Sequence, residues 1–137
     1  MYLIDNRLYK DEWFAMETDR LRLAVLRKSA FVKVTDYYVR NREFHKVWSQ
    51  THGDDYFTQR VQKAYLKSDT NGFFNDNIVP FYLFDKNDTS RVIGRISLFN
   101  IVRGGMQSAI VGYHLDEDAV GHGYMLEALK EVTMFAF

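Results

Sequence analysis

The residues best suited to chemistry lie near the end of the chain, where a glycine-rich turn runs into an amphipathic helix. The turn reads Val120-Gly121-His122-Gly123-Tyr124-Met125. Two glycines one residue apart let the backbone approach a ligand closely, because they lack a Cβ atom. The start of the helix adds free N–H groups and the positive end of the helix dipole. The pattern therefore predicts an anion site, for which a phosphate group fits best.

Metal chemistry has no support in the sequence. The chain contains no cysteine, which excludes thiolate nucleophiles, disulfides and cysteine-ligated zinc. His45, His52 and His122 show no metal-ligand spacing with each other or with a carboxylate. We therefore predict no metal site.

Length and charge limit the classes of protein and partner. The 137 residues correspond to one domain, and the formal net charge of zero removes the basic field that nonspecific nucleic-acid binding requires. The N-terminus carries charges where a signal peptide is apolar, and no apolar run is as long as a membrane span. We expect a cytoplasmic protein with no direct nucleic-acid or membrane partner.

The first half of the chain predicts one strand and two helices. Apolar and polar residues alternate over 17–26, which favours a first strand preceded by an N-terminal extension at 1–15. Ser29 is expected to cap a helix that ends near Asn41, and Thr58 a helix that ends near Asp69, before the Asn71-Gly72 break. The polar residues 48–56 between the two helices are typical of a loop.

The second half predicts three strands and a final helix. The strand patterns cover 78–84, 92–102 and 108–115, with connections short enough for hairpins. Leu126, Leu129 and Val132 then repeat at helical spacing. The whole order indicates an α+β fold.

Four segments in this order resemble the GNAT superfamily of N-acetyltransferases, within it the branch that acetylates the N-termini of ribosomal proteins. They are residues 17–23 (ETDRLRL), 41–44 (NREF), 92–98 (VIGRISL) and 112–129, from GYHL to EAL. The resemblance implies the GNAT fold, a mixed and mostly antiparallel sheet flanked by helices, over residues 16–137.

The resemblance also implies a co-substrate and an acceptor. Acetyl-CoA would lie beside the last strand and transfer its acetyl group to a primary amine, either a peptide N-terminus or a small amine. Its pantetheine arm would meet Tyr113, His114 and Leu115. Its pyrophosphate would meet the turn residues, Val120, Gly121, His122, Gly123, Tyr124 and Met125.

Two departures from the family pattern affect the expected chemistry. Val120 stands where a Gln or Arg often contacts the pyrophosphate, and Ile110 stands where many members carry an acidic residue.

Glu43 remains the candidate base, with a solvated ion pair with the neighbouring Arg42 as the alternative. His114 is a candidate at the acceptor pocket, unless it only faces the other side of the sheet. Glu127, in the first helical turn, is expected to cap the helix.

The superfamily normally continues past this helix with a fifth strand and further elements. We therefore expect the site to be incomplete in this polypeptide and the last strand to form an exposed apolar edge that pairs in a homodimer. Three hypotheses follow. The chain is an acetyl-CoA-dependent N-acetyltransferase, a truncated non-catalytic relative that dimerises through this edge, or an unrelated α+β interaction module.

Overall fold

A single antiparallel sheet forms the centre of the molecule. The computed structural model describes residues 2–3, 11–47, 51–105 and 107–136. Six strands lie side by side in chain order, and each pairs with the next in antiparallel fashion. The strands are β1 (Tyr2–Leu3), β2 (Glu12–Glu17), β3 (Leu21–Leu26), β4 (Ile78–Asp85), β5 (Gly94–Val102) and β6 (Ser108–Leu115).

Helices cover both faces of this sheet. They are α1 (Phe31–Arg40), α2 (Arg42–His45), α3 (Gln59–Phe74) and α4 (Tyr124–Ala136). Ala24 and Leu26 of β3 belong to a core that includes side chains of α1 and α3. Leu21 and Leu23 belong to a second core that includes side chains of α4. Every residue of β3 is consequently buried, and the α+β class expected from the sequence is confirmed.

The strand predicted at residues 17–26 is confirmed over 21–26, as β3, but it is not the first strand. Two strands, β2 and β3, meet there in a tight turn, in which the Thr18 amide donates to the Leu21 carbonyl at 2.9 Å. The pattern missed β2 because Trp13, Phe14 and Ala15 are apolar in succession and show no alternation. The expected boundary between the extension and the domain falls inside β2, and that division stays a prediction.

Both predicted helices exist, but their ends differ from the prediction. Ser29 does not cap α1, because it lies in a short 3-10 turn and its hydroxyl donates to Asp11. Thr58 does cap α3, where its side chain accepts from the Val61 amide. The expected break at Asn71-Gly72 is wrong, since α3 continues to Phe74.

The predicted meander and final helix are confirmed. Strands β4 and β6 match their expected ranges to within one residue, and β5 begins two residues later than expected, at Gly94. In the expected loop at 48–56, residues 48–50 lie outside the described residues and Asp54–Phe57 forms a short 3-10 turn. The meander ends with β6 at one edge of the sheet, and a short 3-10 turn at Glu117–Ala119 separates β6 from the glycine-rich turn.

Candidate active site

The glycine-rich turn connects β6 to α4 and depends on two unusual backbone conformations. Gly121 and Gly123 have φ angles of 87° and 76°, in the left-handed region that residues with a side chain rarely adopt. A Cβ atom on Gly121 would have no atom within 4 Å. The requirement for glycine there is therefore conformational, with open space on the outer side of the turn.

The turn also presents backbone donors that the protein does not use. The Glu127 amide donates to the Gly123 carbonyl at 3.2 Å, which is the first hydrogen bond of α4. The amides of residues 121–126 meet no acceptor within the part of the chain that the structure describes. Consecutive free N–H groups at a helix start are suited to bind an anion. The geometry thus fits the phosphate site predicted from the sequence.

Side chains from the β2–β3 turn hold this backbone in place. Arg20 donates through Nη1 to the His122 carbonyl and through Nε to the Glu127 carboxylate, each at 2.8 Å. The Glu127 carboxylate also accepts from the Thr18 hydroxyl and from the Arg20 amide. Partial burial opposes its ionisation, but these hydrogen bonds outweigh burial and lower the pKa of Glu127. Glu127 therefore joins α4 to the β2–β3 turn, beyond the capping role expected from the sequence.

The loop between β6 and the glycine-rich turn is held by side chains at the C-terminal end of α1. Arg40 donates to the buried Asp116 carboxylate at 2.6 Å and to the Val92 carbonyl at 2.9 Å. Asn41 accepts the Glu117 amide at 2.9 Å. The loop that leads into the glycine-rich turn is consequently tied to the C-terminal end of α1.

A cavity of about 470 Å³ opens beside the end of β6. Aromatic rings and charged side chains share its wall. The lining residues are Tyr38, Arg42, Glu43, His45, Lys46, Thr51, His52, Tyr56, Phe57 and His114. The cavity includes His114 of β6 in its wall, and the glycine-rich turn follows the same strand in the chain.

The rings of Tyr37, His45 and His114 pack together in a cluster at the base of the cavity. The Tyr37 hydroxyl lies 2.6 Å from His114 Nδ1. His45 Nε2 donates to the Leu115 carbonyl at 2.6 Å. Tyr37 is fully buried, and within the described residues its hydroxyl has no other partner. The hydroxyl must therefore donate to Nδ1, which leaves the proton of neutral His114 on Nε2.

Burial keeps both members of the Tyr37–His114 pair uncharged. Burial, followed by the charges of His45 and Arg95, lowers the pKa of His114 to about 3. Burial is also the main cause that raises the pKa of Tyr37 well above its usual value. At neutral pH His114 is thus a hydrogen-bond donor through Nε2 and a poor base.

The two expected catalytic residues, His114 and Glu43, lie in different surroundings. His114 faces the α1 side of the sheet and also lines the cavity, which combines the two alternatives from the sequence. Glu43 lies at the cavity wall with its side chain 82% exposed and its carboxylate 3.9 Å from Lys46. Glu43 thus forms a solvated ion pair, but with Lys46 and not with the neighbouring Arg42 that the alternative implied, because Arg42 pairs with Asp54. The role of Glu43 as a base stays a prediction.

The expected cofactor residues surround the end of β6 and the turn. Tyr113 is 58% exposed and Val120 is 51% exposed. Leu115, Tyr124 and Met125 are partly buried against the core on the α4 side. The remaining turn residues, Gly121, His122 and Gly123, are exposed.

Sequence reasoning missed three residues that organise the site: Arg20, Tyr37 and His45. Tyr37 follows Val34 by three positions, so helical spacing places it on the buried face of α1. No sequence signal pairs Arg20 with the turn, because more than 100 residues separate them.

Comparison with known proteins identifies the family. The profile of the acetyltransferase (GNAT) domain matches residues 20–137. The chain belongs to the GNAT acetyltransferase family. Its α+β sheet and helices have the GNAT fold, as the resemblance implied.

Individual proteins are similar to the chain in sequence or in fold. The chain is 37% identical over 97 residues to the probable N-acetyltransferase YjcK of Bacillus subtilis, covering 71% of this chain and 53% of that protein. The crystal structure of a ribosomal-protein-S5-alanine acetyltransferase from Vibrio fischeri superposes with a TM-score of 0.80 and 26% identity, over 88% and 66% of the two chains. A ribosomal L7/L12 alpha-N-protein acetyltransferase in complex with coenzyme A has a TM-score of 0.72 and 21% identity, over 88% and 66%.

The chain thus spans about half the length of the Bacillus relative. Among the described residues, no three histidine or acidic side chains form a group that could hold a metal ion. No helix in the described ranges is both long and apolar enough to cross a membrane.

Proposed function

We propose that this GNAT chain binds acetyl-CoA and transfers its acetyl group to a primary amine. The observation that carries the proposal is the common location of two features at the end of β6. The free amides of residues 121–126 lie on one side, and the cavity of about 470 Å³ lies beside the same strand end. The coenzyme A complex of the L7/L12 acetyltransferase supports the choice of co-substrate.

The residues at the end of β6 fit a CoA thioester. Within the described residues the outer edge of β6 faces no strand, so its peptide groups are available to an arm that contains amides. Tyr113 and Leu115 lie on this edge and are proposed to hold the pantetheine arm. Gly121 and Gly123 shape the turn that holds the pyrophosphate. The thioester of acetyl-CoA activates the acetyl group for attack by an amine. The new C–N bond would replace the C–S bond, and CoA would leave as a thiol after its sulfur takes up the proton that the amine loses.

The aromatic cavity is the proposed acceptor site. His114 is held in one tautomer by Tyr37 and presents Nε2–H as a donor, which orients an acceptor through its carbonyl group. Glu43 is proposed to take the proton from the ammonium form of the acceptor at the cavity wall. Because Glu43 is exposed, this transfer would pass to a solvated carboxylate.

A peptide N-terminus is the proposed acceptor. The Vibrio relative is a ribosomal-protein-S5-alanine acetyltransferase, and the fold and the open cavity are compatible with an extended peptide. Incubation of the chain with acetyl-CoA and peptides that begin with Ala or Ser tests this, with spermidine as a small-amine comparison. Mass spectrometry should show one added acetyl group on the peptide α-amine. Acetylation of spermidine alone would replace peptides with small amines as the acceptor class.

A glutamate substitution tests the proposed base. Glu43→Gln should lower kcat, because the amide cannot accept a proton. Glu117→Gln is the matched control, since Glu117 is exposed and lies outside the lining of the cavity. An unchanged kcat in Glu43→Gln would remove Glu43 from the mechanism.

A non-catalytic dimer is the second proposed function, favoured by the exposed edge strand. Ile110 and Tyr113 on β6 are 49% and 58% exposed. An apolar strand edge is a template for pairing with another chain. Light scattering measures the oligomeric state, and a dimer that lacks acetyl transfer would favour this function over the enzyme.

A further inference from the structure

The surroundings of the glycine-rich turn are acidic, which is unfavourable for a phosphate ligand. A cavity of about 240 Å³ beside the turn is lined by His122, Tyr124 and four aspartates, Asp85, Asp88, Asp116 and Asp118. Arg91 lines the same cavity, but its Nη2 donates to Asp116 and Asp118 at 3.1 and 3.2 Å. Arg91 therefore offsets the charge of these carboxylates and contributes little positive potential to the turn.

Arg20 is the cation that contacts the turn itself. Its Nε and Nη1 groups bind Glu127 and the His122 carbonyl, as described above. Its Nη2 group has no acceptor within the described residues and lies 3.5 Å from the position that a Cβ atom would take on Gly123. The side chain is 46% exposed. The guanidinium thus presents unused N–H donors to solvent beside the free amides of the turn.

We propose that Arg20 binds the pyrophosphate of CoA directly through Nη2. The planar guanidinium can hold His122 and Glu127 with two nitrogens and bind a phosphate oxygen with the third. Val120, at the first position of the turn, is exposed and has no polar atom in its side chain to contribute. Arg20 therefore supplies from the β2–β3 turn the positive charge that the glycine-rich turn lacks. This inference rests on the proposed function, since it requires CoA binding at the turn.

Calorimetric titration of two ligands tests the contact. Arg20→Met should weaken the binding of CoA by about tenfold or more, the usual effect of losing a charge-assisted hydrogen bond. Its affinity for acetyl-pantetheine should stay unchanged, because that fragment has no pyrophosphate. Arg103→Met is the matched control. Arg103 is an exposed arginine paired with Asp76, and it follows the end of β5 that lies farthest from the turn. This control should bind CoA with native affinity.

A double variant separates a direct contact from neutralisation of Glu127. If Arg20 only offsets that carboxylate, Arg20→Met combined with Glu127→Gln should regain CoA affinity. The proposal predicts that the double variant stays weak. Recovery in the double variant, native CoA affinity in Arg20→Met, or equal loss of CoA and acetyl-pantetheine would each overturn it. A native chain that fails to bind CoA would refute the proposed function as well, whereas the other three results leave that function standing.

Discussion

Replacement of Tyr37 by Phe tests the cluster at the base of the cavity. The hydroxyl is fully buried and donates to His114 Nδ1 at 2.6 Å. Phe keeps the ring and its packing but removes the only donor to Nδ1 within the described residues. A buried acceptor without its partner costs about 1–3 kcal/mol. For a domain of this size, the midpoint of thermal unfolding should fall by roughly 3–5 °C for each kcal/mol.

The matched control is Tyr65→Phe. Tyr65 is 50% exposed on α3, and its hydroxyl takes part in none of the hydrogen bonds of the cluster. Its replacement should change the free energy of unfolding by less than about 0.5 kcal/mol. Urea unfolding of the two variants and the native chain gives the comparison directly.

Nitrogen NMR of the imidazole supplies a second result that stability alone cannot. In the native chain His114 should carry its proton on Nε2, with Nδ1 as an acceptor. In Tyr37→Phe this preference should weaken, because nothing in the cluster then donates to Nδ1. The same stability as native together with an unchanged tautomer would refute the assignment of the Tyr37 hydroxyl as donor.

Three further predictions follow from other contacts. The pKa of His114 is about 3 in the folded chain, whereas an ordinary histidine has a pKa of 6.5. Between pH 3 and pH 6.5 the unfolded chain therefore binds a proton at His114 that the folded chain does not bind. The free energy of unfolding should therefore fall as the pH drops from 6.5 towards 3, and less steeply in His114→Gln. Gly123→Val should abolish CoA binding in calorimetry, because φ at this position is 76°, whereas Gly105→Val has open space and should bind normally. Arg22→Met should lower the free energy of unfolding in urea by about 3–5 kcal/mol, since it removes the buried guanidinium of β3 that pairs with Glu12 and Glu17 of β2, while Arg60→Met, at an exposed position of α3, should have little effect.

Each of these predictions has a contradicting result. Equal pH dependence in the native chain and His114→Gln would show that His114 does not titrate as described. CoA affinity retained in Gly123→Val would show that the turn is not the pyrophosphate site. Equal stability of Arg22→Met and Arg60→Met would show that the ion pairs joining β2 to β3 contribute nothing to the fold.

The meander and the turn were predictable because their signals are local. Strand β4 is a short run of apolar residues followed by polar turn residues, and the glycines at 121 and 123 mark a turn whose conformation requires them. Strand β2 was not predictable in this way, because both of its faces carry apolar residues and it pairs through a bulge between Glu12 and Phe14. The part of α3 beyond Gly72 makes a tertiary contact that the sequence does not signal, because Phe73 packs against Phe14 of β2 with ring centroids 6.4 Å apart. The helix then ends in a local cap, in which the Asn77 amide donates to the Gly72 carbonyl at 2.8 Å.

The candidate site likewise has one part that could be predicted from the sequence and one part that could not. The turn is contiguous in the sequence, so its chemistry could be inferred from residue types and spacing. The contact of Arg20 with His122 and that of Tyr37 with His114 join residues 102 and 77 positions apart. Only the fold brings such pairs together. His45 was considered from the sequence only as a metal ligand, whereas the structure uses it to hold the end of β6.

Titration of acetyl-CoA into the native chain by calorimetry tests the central claim most directly. The free amides of the turn, and the family to which the chain belongs, predict saturable binding with one molecule of acetyl-CoA per chain. The same titration of Gly123→Val should give no binding heat. No binding to the native chain at millimolar acetyl-CoA, with the chain folded in the same buffer, would contradict the account of the turn as a cofactor site.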